Sequence, residues 1–563
     1  MNFFTEDRTF CAMLKRMMDP ELFNWAEGEL SDLGSAAAGR IDERAAHTDN
    51  DGEPKLVKYD RFGEDQSYVW VNEGYRQTAD DIYRRGIVAY PHREIPELGR
   101  KGNYFYSFAQ GYLLSQAEPG FYCPVTLTMA TAYLLDSYGD DELKRRFLPH
   151  ILSTGEKEMY EGGTFLTERQ GGSDVGANET EALEAEDGSY RLYGEKYFAS
   201  NAGRAEVAMV LARIAGSKPG TKGLSLFLVP WQHEDGTRNR LSIRRLKDKL
   251  GVKAVPSAEV ELDGAKGYLV GKAEDGFYYM MEALNLSRIS NAVASLGIMR
   301  RSYLESYTYA ETRQAFAKPL IDYPMIQDTL TKMKIKLDAE LYSVFHLIEE
   351  YDLSFYYEGK TSGSETAYLR LLIALIKAET ADQSISFAHE AIEMHGGNGY
   401  IEDFVTPRML RDAQVLTVWE GTSNILGLEV LRLMNKYAIH QEFIRRMEEK
   451  AARCYVTDPK LLANVRSMIA QLADELDEIT ALSDYEQTRK IKPAAKKMVT
   501  IFETVMMLEA TEEADPGGWE QISASIYIKS QLYPLFSYNH TSWRPEEGWV
   551  VLGLTEQGAN SRV

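Results

Sequence analysis

Three very long helical patterns follow one another in the second half of the sequence, and they restrict the fold more than any other feature. The first opens with GFYYMMEALNLSRISNAVASLGIMRRSYLESYTYAETRQAF and runs for about 40 residues, the second covers 322–352, and the third covers 364–395. The third pattern stops at Gly396-Gly397, which allows a left-handed exit. A further apolar helix begins after Asn424. Helices of this length are typical of an antiparallel four-helix bundle.

The sequence on either side of this bundle separates into further regions. Helical apolar periodicity without a β-rich block fills the first part of the chain, and short β-branched and aromatic runs separated by Gly and Asp follow it. Asp187-Gly188 lies between two of these runs and predicts a hairpin. Two segments, 356–364 and 512–519, are plausible linkers. We therefore predict an α+β multidomain fold with an N-terminal helical domain at 1–157, a β-barrel or β-sandwich domain at 158–272, a four-helix bundle at 273–440 and a C-terminal helical extension at 441–563.

Composition and charge disfavour several classes of protein. Glu6, Asp7 and Arg8 interrupt the N-terminus before an apolar signal region can develop, and no apolar run approaches the ~18 residues that span a bilayer. We therefore predict a cytoplasmic protein without a transmembrane segment. The three cysteines are widely spaced and form no zinc motif. A formal net charge of −22 repels phosphate backbones, and a nucleic-acid partner is therefore disfavoured.

Two short strings could carry chemistry on physical grounds alone. In LTERQGGSDVGANET, residues 166–180, Thr167 can offer a hydroxyl group to a polar ring edge, and Gly171-Gly172-Ser173 lets backbone N–H groups approach a pyrophosphate. An ordinary Gly/Ser turn would explain the same string. In WEGTSN, residues 419–424, Glu420 precedes an apolar helix, where the helix dipole favours a carboxylate by ~0.3–1 kcal/mol. This structural role for Glu420 is compatible with a catalytic one.

Together with three further strings, these motifs resemble those of the acyl-CoA dehydrogenase family of flavoproteins. The others are YGEKYFASNAG at 193–203, ETRQAFAKPL at 311–320, and HGGNGY at 395–400 with MLRDAQ at 409–414, all in the family's order. The resemblance covers roughly residues 1–440 and leaves the C-terminal extension uncovered. It implies FAD as cofactor, an acyl-CoA as substrate, an electron-transferring flavoprotein as electron acceptor, and a homodimer or homotetramer that shares its FAD site between subunits.

The resemblance also assigns residues to the cofactor. Phe198 takes the position of an aromatic ring beside the flavin, commonly Trp, and Ser200 that of the hydroxyl that bonds flavin N5, commonly Thr; both replacements keep a flat apolar face and an O–H donor. Arg313 and Phe316 resemble the pair that reaches the adenine-diphosphate half of FAD in a neighbouring subunit. The alternatives are a strand core residue for Phe198 and a solvated helix arginine for Arg313. The implied cofactor-binding residues are Thr167, Gly172, Ser173, Phe198, Ser200, Arg313, Phe316, Gly396, Gly397, Thr422 and Asn424.

Glu420 is the catalytic base that the resemblance implies. In the family's pattern, the glutamate before Gly-Thr removes the α-proton of an acyl-CoA thioester while the β-hydrogen leaves as hydride to flavin N5. An apolar pocket beside Trp419 would strip water from the carboxylate and raise its pKa, which makes it a better base. The thioester carbonyl would accept the backbone N–H of Glu420 and a flavin ribityl hydroxyl, as in an oxyanion hole. Ser173, Arg288 and Gly421 are the implied substrate contacts, and a salt bridge within the bundle is the alternative for Arg288.

Rival sites and chemistries have less support in the sequence. One branch of the family carries its glutamate just before the arginine of the first bundle helix, but here Ser287 occupies that position ahead of Arg288. The related nitroalkane oxidases use Asp as the base, so the glutamate at position 420 points away from that group. The sequence contains no Glu-x-x-His pair for a di-iron centre, no Gly-x-Gly-x-x-Gly after a strand, and no phosphate-loop lysine motif.

Two alternatives inside the superfamily stay open. One is an acyl-CoA oxidase, which differs in how oxygen reaches the reduced flavin. The other follows from YDRFGEDQSYVWVNEGYRQ and the C-terminal extension, which resemble the alkylation-response AidB-like branch, whose members bind FAD and are linked to double-stranded DNA through a basic C-terminal region. Here the extension carries 14 basic and 19 acidic residues. Its one basic cluster begins a helix with an apolar stripe, which more often packs on its own protein; the cluster consists of Arg489, Lys490, Lys492, Lys496 and Lys497.

Overall fold

The computed structural model describes residues 1–356, 363–454, 458–511, 518–536 and 545–553. Most of both predicted linkers, at 357–362 and 512–517, lies outside the described residues. The chain divides into two compact units, the first formed by Met1–Asp7 with Met17–Ser290 and the second by Arg8–Arg16 with Asn291–Val563. The four predicted domain boundaries stay predictions.

The N-terminal region is mainly helical, as predicted. Its helices are α1 (Arg8–Met17), α2 (Pro20–Ala36), α3 (Asp42–Asn50), α4 (Glu73–Tyr83), α5 (Tyr104–Ser115), α6 (Pro119–Tyr138) and α7 (Asp141–Ile151). Two antiparallel hairpins interrupt them, formed by β1 (Lys55–Tyr59) with β2 (Asp65–Trp70) and by β3 (Glu94–Ile95) with β4 (Arg100–Lys101). The sequence predicted no β-rich block here, and these two hairpins were not predicted, because strands this short leave little periodicity in the sequence.

The β region that follows closes on itself. Its strands are β5 (Gly162–Phe165), β6 (Glu181–Glu184), β7 (Tyr190–Ser200), β8 (Val207–Ile214), β9 (Leu224–Pro230), β10 (Leu241–Leu246) and β11 (Ser257–Leu269). Pairing runs from β11 through β7, β6, β8 and β9 back to β11, while β5 and β10 pair at the outside of this ring. The prediction was a barrel or a sandwich, and the closed pairing corresponds to the barrel. Gly188, with φ +77°, lies in the turn between β6 and β7, where a hairpin was predicted.

The long helices form as the apolar periodicity predicted. They are α8 (Gly276–Thr312), which passes from the first unit into the second, then α9 (Pro324–Tyr356), α10 (Gly363–His395), α11 (Thr406–Leu416) and α12 (Ser423–Tyr437). A two-residue hairpin of β12 (Gln314–Ala315) and β13 (Lys318–Pro319) separates α8 from α9. Gly396, with φ +59°, follows the last residue of α10 in the left-handed region, as predicted.

The C-terminal extension is helical and belongs to the second unit together with α9 to α12. Its helices are α13 (Ile439–Arg453), α14 (Pro459–Thr480), α15 (Asp484–Glu509), α16 (Trp519–Tyr527), α17 (Tyr533–Leu535) and α18 (Pro545–Leu552). Helix α15 packs against α9, α10 and α12, so the extension completes the bundle instead of forming a separate body. Among the described residues, no helix is both long and apolar enough to cross a membrane.

A buried ionic cluster joins the extension to the bundle. The ammonium of Lys336 on α9 lies 3.0 Å from Glu340 of the same helix, 2.8 Å from Glu379 on α10 and 2.8 Å from Glu503 on α15. The hydroxyl of Tyr527 donates to Glu503 as well. The three carboxylates lie close enough together to hold a metal ion, but the lysine ammonium already contacts all of them. A cation of the chain itself therefore lies among the carboxylates, and burial together with Glu503 raises the pKa of Glu340 well above its usual range.

Candidate active site

The residues predicted to bind cofactor and substrate fall into two sets, one in each compact unit. The first unit holds Thr167, Gly172, Ser173, Phe198, Ser200 and Arg288. The second unit holds Arg313, Phe316, Gly396, Gly397, Glu420, Gly421, Thr422 and Asn424.

In the first unit, a buried carboxylate fastens the loop at 166–180. Glu168 accepts hydrogen bonds from the backbone N–H groups of Glu179 at 2.6 Å and Thr180 at 3.1 Å, and from the Lys196 ammonium at 2.8 Å. Burial opposes the charge of Glu168, but Lys196 and these donors outweigh it and lower the pKa of the carboxyl below its usual range. The loop is therefore anchored at its base while its glycine tip stays exposed.

The glycine at position 172 allows this loop to turn tightly around Thr167. A Cβ atom on Gly172 would lie only 2.6 Å from Thr167 Oγ1, so a larger residue would displace the hydroxyl. The carbonyl of Thr167 accepts the N–H of Tyr197 at 2.9 Å, which fixes Thr167 beside strand β7. Gly172 and Ser173 are exposed. The structure thus brings the predicted loop residues next to the strand that carries Phe198 and Ser200.

Phe198 and Ser200 lie two residues apart near the end of β7. Phe198 is 55% exposed, which excludes the alternative of a strand core residue, and the Lys247 ammonium lies 4.9 Å from its ring centroid. Ser200 Oγ is 3.4 Å from Ser257 Oγ on the neighbouring strand β11. An aromatic face left open beside a hydroxyl group is suited to bind a flat, polar-edged ring.

Arg288 is half-buried on α8, and its Nη1 donates to Asn285 Oδ1 at 3.2 Å. Its predicted contact with substrate stays a prediction.

In the second unit, Glu420 occupies a strained turn between α11 and α12. Its φ is +56°, and Gly421 follows with φ +108°. A left-handed conformation costs a residue with a Cβ atom roughly 1–2 kcal/mol, and such strain is found most often at functional sites. Glu420 is half-buried, and its Oε2 atom is itself buried. The turn therefore carries Glu420 in a backbone conformation that has an energetic cost.

Two buried donors hold this turn in place. The Lys377 ammonium, from the middle of α10, donates to the carbonyl of Gly421 at 2.8 Å, and Asn291 of α8 donates to the carbonyl of Leu416 at 3.1 Å. Lys377 and Asn291 are 1% and 4% exposed. A hydrogen bond from a charged donor such as Lys377 contributes about 1.5–3 kcal/mol, and one from a neutral donor such as Asn291 contributes about 0.5–1.5 kcal/mol. Together they can offset the strain at Glu420.

Thr422 and Asn424 begin helix α12. Thr422 is its N-cap residue but makes no side-chain capping hydrogen bond, and Asn424 Oδ1 accepts from Lys492 at 3.2 Å. Both residues are exposed. The helix has a strongly apolar sequence but is not buried on all sides, since Leu428 is 48% exposed.

Arg313 and Phe316 lie at the β12–β13 hairpin. Phe316 and Ala317 form its tip with φ values of +50° and +67°, and Phe316 is 95% exposed. Arg313 is exposed and forms no ion pair with any of the described residues. Gly396 and Gly397, past the end of α10, are also exposed.

Sequence reasoning missed the two clamping residues, Lys377 and Asn291. The available signal was a lysine at the end of YLRLLIALIK, a strongly apolar run in which a charge requires a partner. Its partner, a backbone carbonyl 44 positions further along the chain, leaves no trace in the sequence.

The chain matches three family models in succession. These are the adaptive response protein AidB N-terminal domain over residues 1–156, the acyl-CoA dehydrogenase middle domain over 163–265 and the acyl-CoA dehydrogenase C-terminal domain over 274–434. The chain belongs to the acyl-CoA dehydrogenase family.

Particular relatives place it near one branch of that family. Acyl-CoA dehydrogenase family member 11 of Caenorhabditis elegans is 31% identical over 484 residues, which are 84% of this chain and 77% of the relative. The protein AidB of Escherichia coli (strain K12) is 31% identical over 445 residues, which are 78% of this chain and 79% of AidB. Both the family and the AidB-like branch predicted from the sequence are thus confirmed.

Solved structures confirm the predicted fold class. The structure of Caenorhabditis elegans ACDH-11 in complex with C11-CoA has a TM-score of 0.86 and 28% identity, and the match covers 96% of this chain and 92% of that one. An acyl-CoA dehydrogenase of Bacillus anthracis complexed with FAD has a TM-score of 0.70 and 20% identity, over 85% of this chain and 90% of that one, and it shares the fold.

Proposed function

We propose that this protein is an FAD-dependent acyl-CoA dehydrogenase that oxidises the α,β bond of an acyl-CoA thioester, with Glu420 as the base. The observation that carries the proposal is the strained turn of Glu420, which Lys377 and Asn291 hold from two separate helices. Backbone strain that buried donors maintain is found most often at functional sites, which supports a functional role for Glu420.

Named residues carry out each part of the proposed reaction. Glu420 takes the α-proton as the double bond forms, and its backbone N–H donates to the thioester carbonyl, where negative charge develops. Ser173, Arg288 and Gly421 contact the substrate. Bound FAD supplies the acceptor for the β-hydride at its N5 atom. The α-proton would remain on Glu420 and the β-hydrogen would leave as a hydride to the bound cofactor, so the products balance as an enoyl-CoA, a protonated Glu420 and a reduced cofactor.

The chain's own residues fit FAD. The open ring of Phe198, the hydroxyl groups of Thr167 and Ser200, and the exposed backbone at Gly172 and Ser173 supply a flat face, polar partners and N–H groups for a phosphate. In the second unit, Thr422 and Asn424 at the start of α12, with Gly396 and Gly397 past α10, complete the proposed set.

Arg313 and Phe316 support a site shared between subunits. A phenylalanine that is 95% exposed at the tip of a hairpin is unfavourable in water unless something covers it, and an exposed arginine beside it suits a diphosphate. We therefore propose a homodimer or homotetramer in which this hairpin reaches the FAD of a neighbouring copy.

The substrate and electron acceptor are proposed at the level of class. ACDH-11 was solved in complex with C11-CoA, and that relative supports a fatty acyl-CoA as substrate. We propose an electron-transferring flavoprotein as the acceptor, in fatty acid metabolism and in the cytoplasm.

The test is anaerobic titration of the FAD-loaded protein with a panel of acyl-CoAs. Glu420→Gln should retain FAD but lose flavin reduction by at least about a thousandfold, because the neutral amide cannot accept the α-proton. Glu393→Gln, which changes an exposed glutamate on α10, is the matched control and should be reduced at the unaltered rate. Undiminished reduction in Glu420→Gln would remove Glu420 from this role, and rapid hydrogen peroxide formation in air would identify an oxidase instead.

The AidB-like alternative of nucleic-acid binding gains no support from the basic cluster on α15. Lys492 contacts Asn424, Lys496 pairs with Glu379, and Lys497 pairs with Glu475. Three of the five basic residues therefore already contact polar groups of their own chain.

A further inference from the structure

A cavity of about 480 Å³ lies within the second unit, between the bundle and the C-terminal extension. Helices α10, α11 and α12 line it from the bundle, and α15 closes it from the extension. Its volume falls in the range of small-molecule sites, about 300–1,000 Å³. Two of its lining residues adjoin the proposed active site, since Lys377 donates to the carbonyl of Gly421 and Ser423 lies between Thr422 and Asn424.

The walls of the cavity combine apolar and polar side chains. Leu375, Ile385, Leu426, Val430 and Val499 contribute branched aliphatic side chains, and alanines complete the surface between them. An apolar wall of this kind favours a ligand with a hydrocarbon body, because burial of apolar area is the main favourable term in binding.

The polar lining carries net positive charge. Lys377, Lys492 and Lys496 line the cavity against two carboxylates, Glu379 and Asp382, which leaves one positive charge. Glu379 is 6% exposed, and its charge is already held by Lys496 as well as by the buried cluster. Lys492 donates to an amide oxygen, that of Asn424, and pairs with no carboxylate among the described residues.

The start of α12 adds to this positive field. Ser423, its first residue, lines the cavity, and the N-cap residue Thr422 makes no side-chain capping hydrogen bond. The first N–H groups of this 15-residue helix therefore have no cap from that side chain, and the helix dipole adds partial positive charge there.

The net charge of the cavity lining also indicates the charge of the ligand. The ionisable residues of the lining sum to about one positive charge. One net positive charge suits a ligand with a single carboxylate group.

We propose that this cavity binds an amphipathic monoanion with a hydrocarbon chain and one carboxylate group, its head at Lys492 and the start of α12. The site adjoins the proposed cofactor-binding residues at Asn424, which accepts from Lys492, so binding is measured on the FAD-loaded protein.

The test is calorimetric titration of the FAD-loaded full chain with octanoate, with octan-1-ol as the uncharged probe. Octanoate should bind, and octan-1-ol should bind at least fivefold more weakly. Ala495→Leu extends a half-buried lining residue into the cavity and should weaken octanoate binding at least tenfold. Lys492→Gln should weaken it at least threefold. Lys490→Gln, which removes an exposed charge from the same helix outside the cavity, should leave the affinity unchanged.

Gly427→Ala provides a second filling variant if Ala495→Leu fails to fold. A Cβ atom at this position would meet Ile491 Cγ2 and Lys492 Cγ at 3.5 Å, an ordinary contact distance, so the helix can accept it. It should weaken octanoate binding at least twofold. Failure of the unaltered protein to bind octanoate would overturn the proposal, as would equal affinities across all the cavity variants, which would place the ligand elsewhere.

Discussion

Replacement of Lys377 by methionine tests whether the turn that carries Glu420 depends on its buried clamp. The side chain is 1% exposed, and its ammonium donates to the carbonyl of Gly421 at 2.8 Å. Methionine has a similar length and suits the apolar surroundings, but it cannot donate a hydrogen bond. The substitution therefore removes this hydrogen bond with little change in packing volume.

The expected decrease in the rate of flavin reduction follows from two energies. A hydrogen bond from a charged donor contributes about 1.5–3 kcal/mol, and the left-handed conformation of Glu420 costs about 1–2 kcal/mol. Without the clamp, that strain favours relaxation of Glu420 out of its orientation. When about 1.4–2.8 kcal/mol of the lost stabilisation is added to the activation barrier, reduction of the flavin slows by about 10- to 100-fold.

Stopped-flow reduction by a saturating acyl-CoA under anaerobic conditions measures this step directly. We expect Lys377→Met to keep its FAD and its apparent KM while kcat falls, and Lys377→Arg to restore part of the rate, because it returns a charged donor. Lys332→Met is the matched control, since Lys332 lies on α9 and pairs with Asp328 at the surface. If folded, FAD-loaded Lys377→Met is reduced at the unaltered rate, the hydrogen bond from Lys377 is not needed to hold the Glu420 turn, and the reasoning is refuted.

Two further predictions concern stability. Lys336→Met should lower the unfolding free energy of the second unit by about 3–5 kcal/mol in urea denaturation, because it leaves buried carboxylates without their shared cation; a loss no larger than that of the surface variant Lys332→Met would contradict this. Burial, reinforced by Glu161, raises the pKa of Glu206 to about 8 from an ordinary value of 4.5. The folded state therefore keeps a proton that the unfolded state has lost, and the contribution of Glu206 to stability falls by about 1.4 kcal/mol per pH unit between pH 4.5 and 8. Glu206→Gln cannot ionise, so its urea midpoint should rise relative to that of the unaltered protein as the pH increases from 4.5 to 8. If the urea midpoints of the two proteins change in parallel with pH, the effect is excluded.

The sequence determined the architecture because that information is local and periodic. Uninterrupted apolar periodicity gave the long bundle helices at nearly the predicted bounds, and Gly396 ended α10 in the left-handed turn that its lack of a Cβ atom permits. The family followed from short strings whose order is itself sequence information. The hairpin at β1 and β2 escaped prediction, since strands of five and six residues carry too little periodicity.

What only the tertiary structure decided is the energetics around Glu420 and the extension. The sequence places Glu420 between Trp419 and Gly421, but its left-handed backbone and the clamp from Lys377 depend on helices brought together by packing. Likewise the basic cluster of α15 could have faced solvent, and its contacts with Glu379 and Asn424 arise only where α15 meets the bundle. Hydrogen bonds and ion pairs act over a few ångströms in space, and the chain distance between their partners leaves no periodic signal in the sequence.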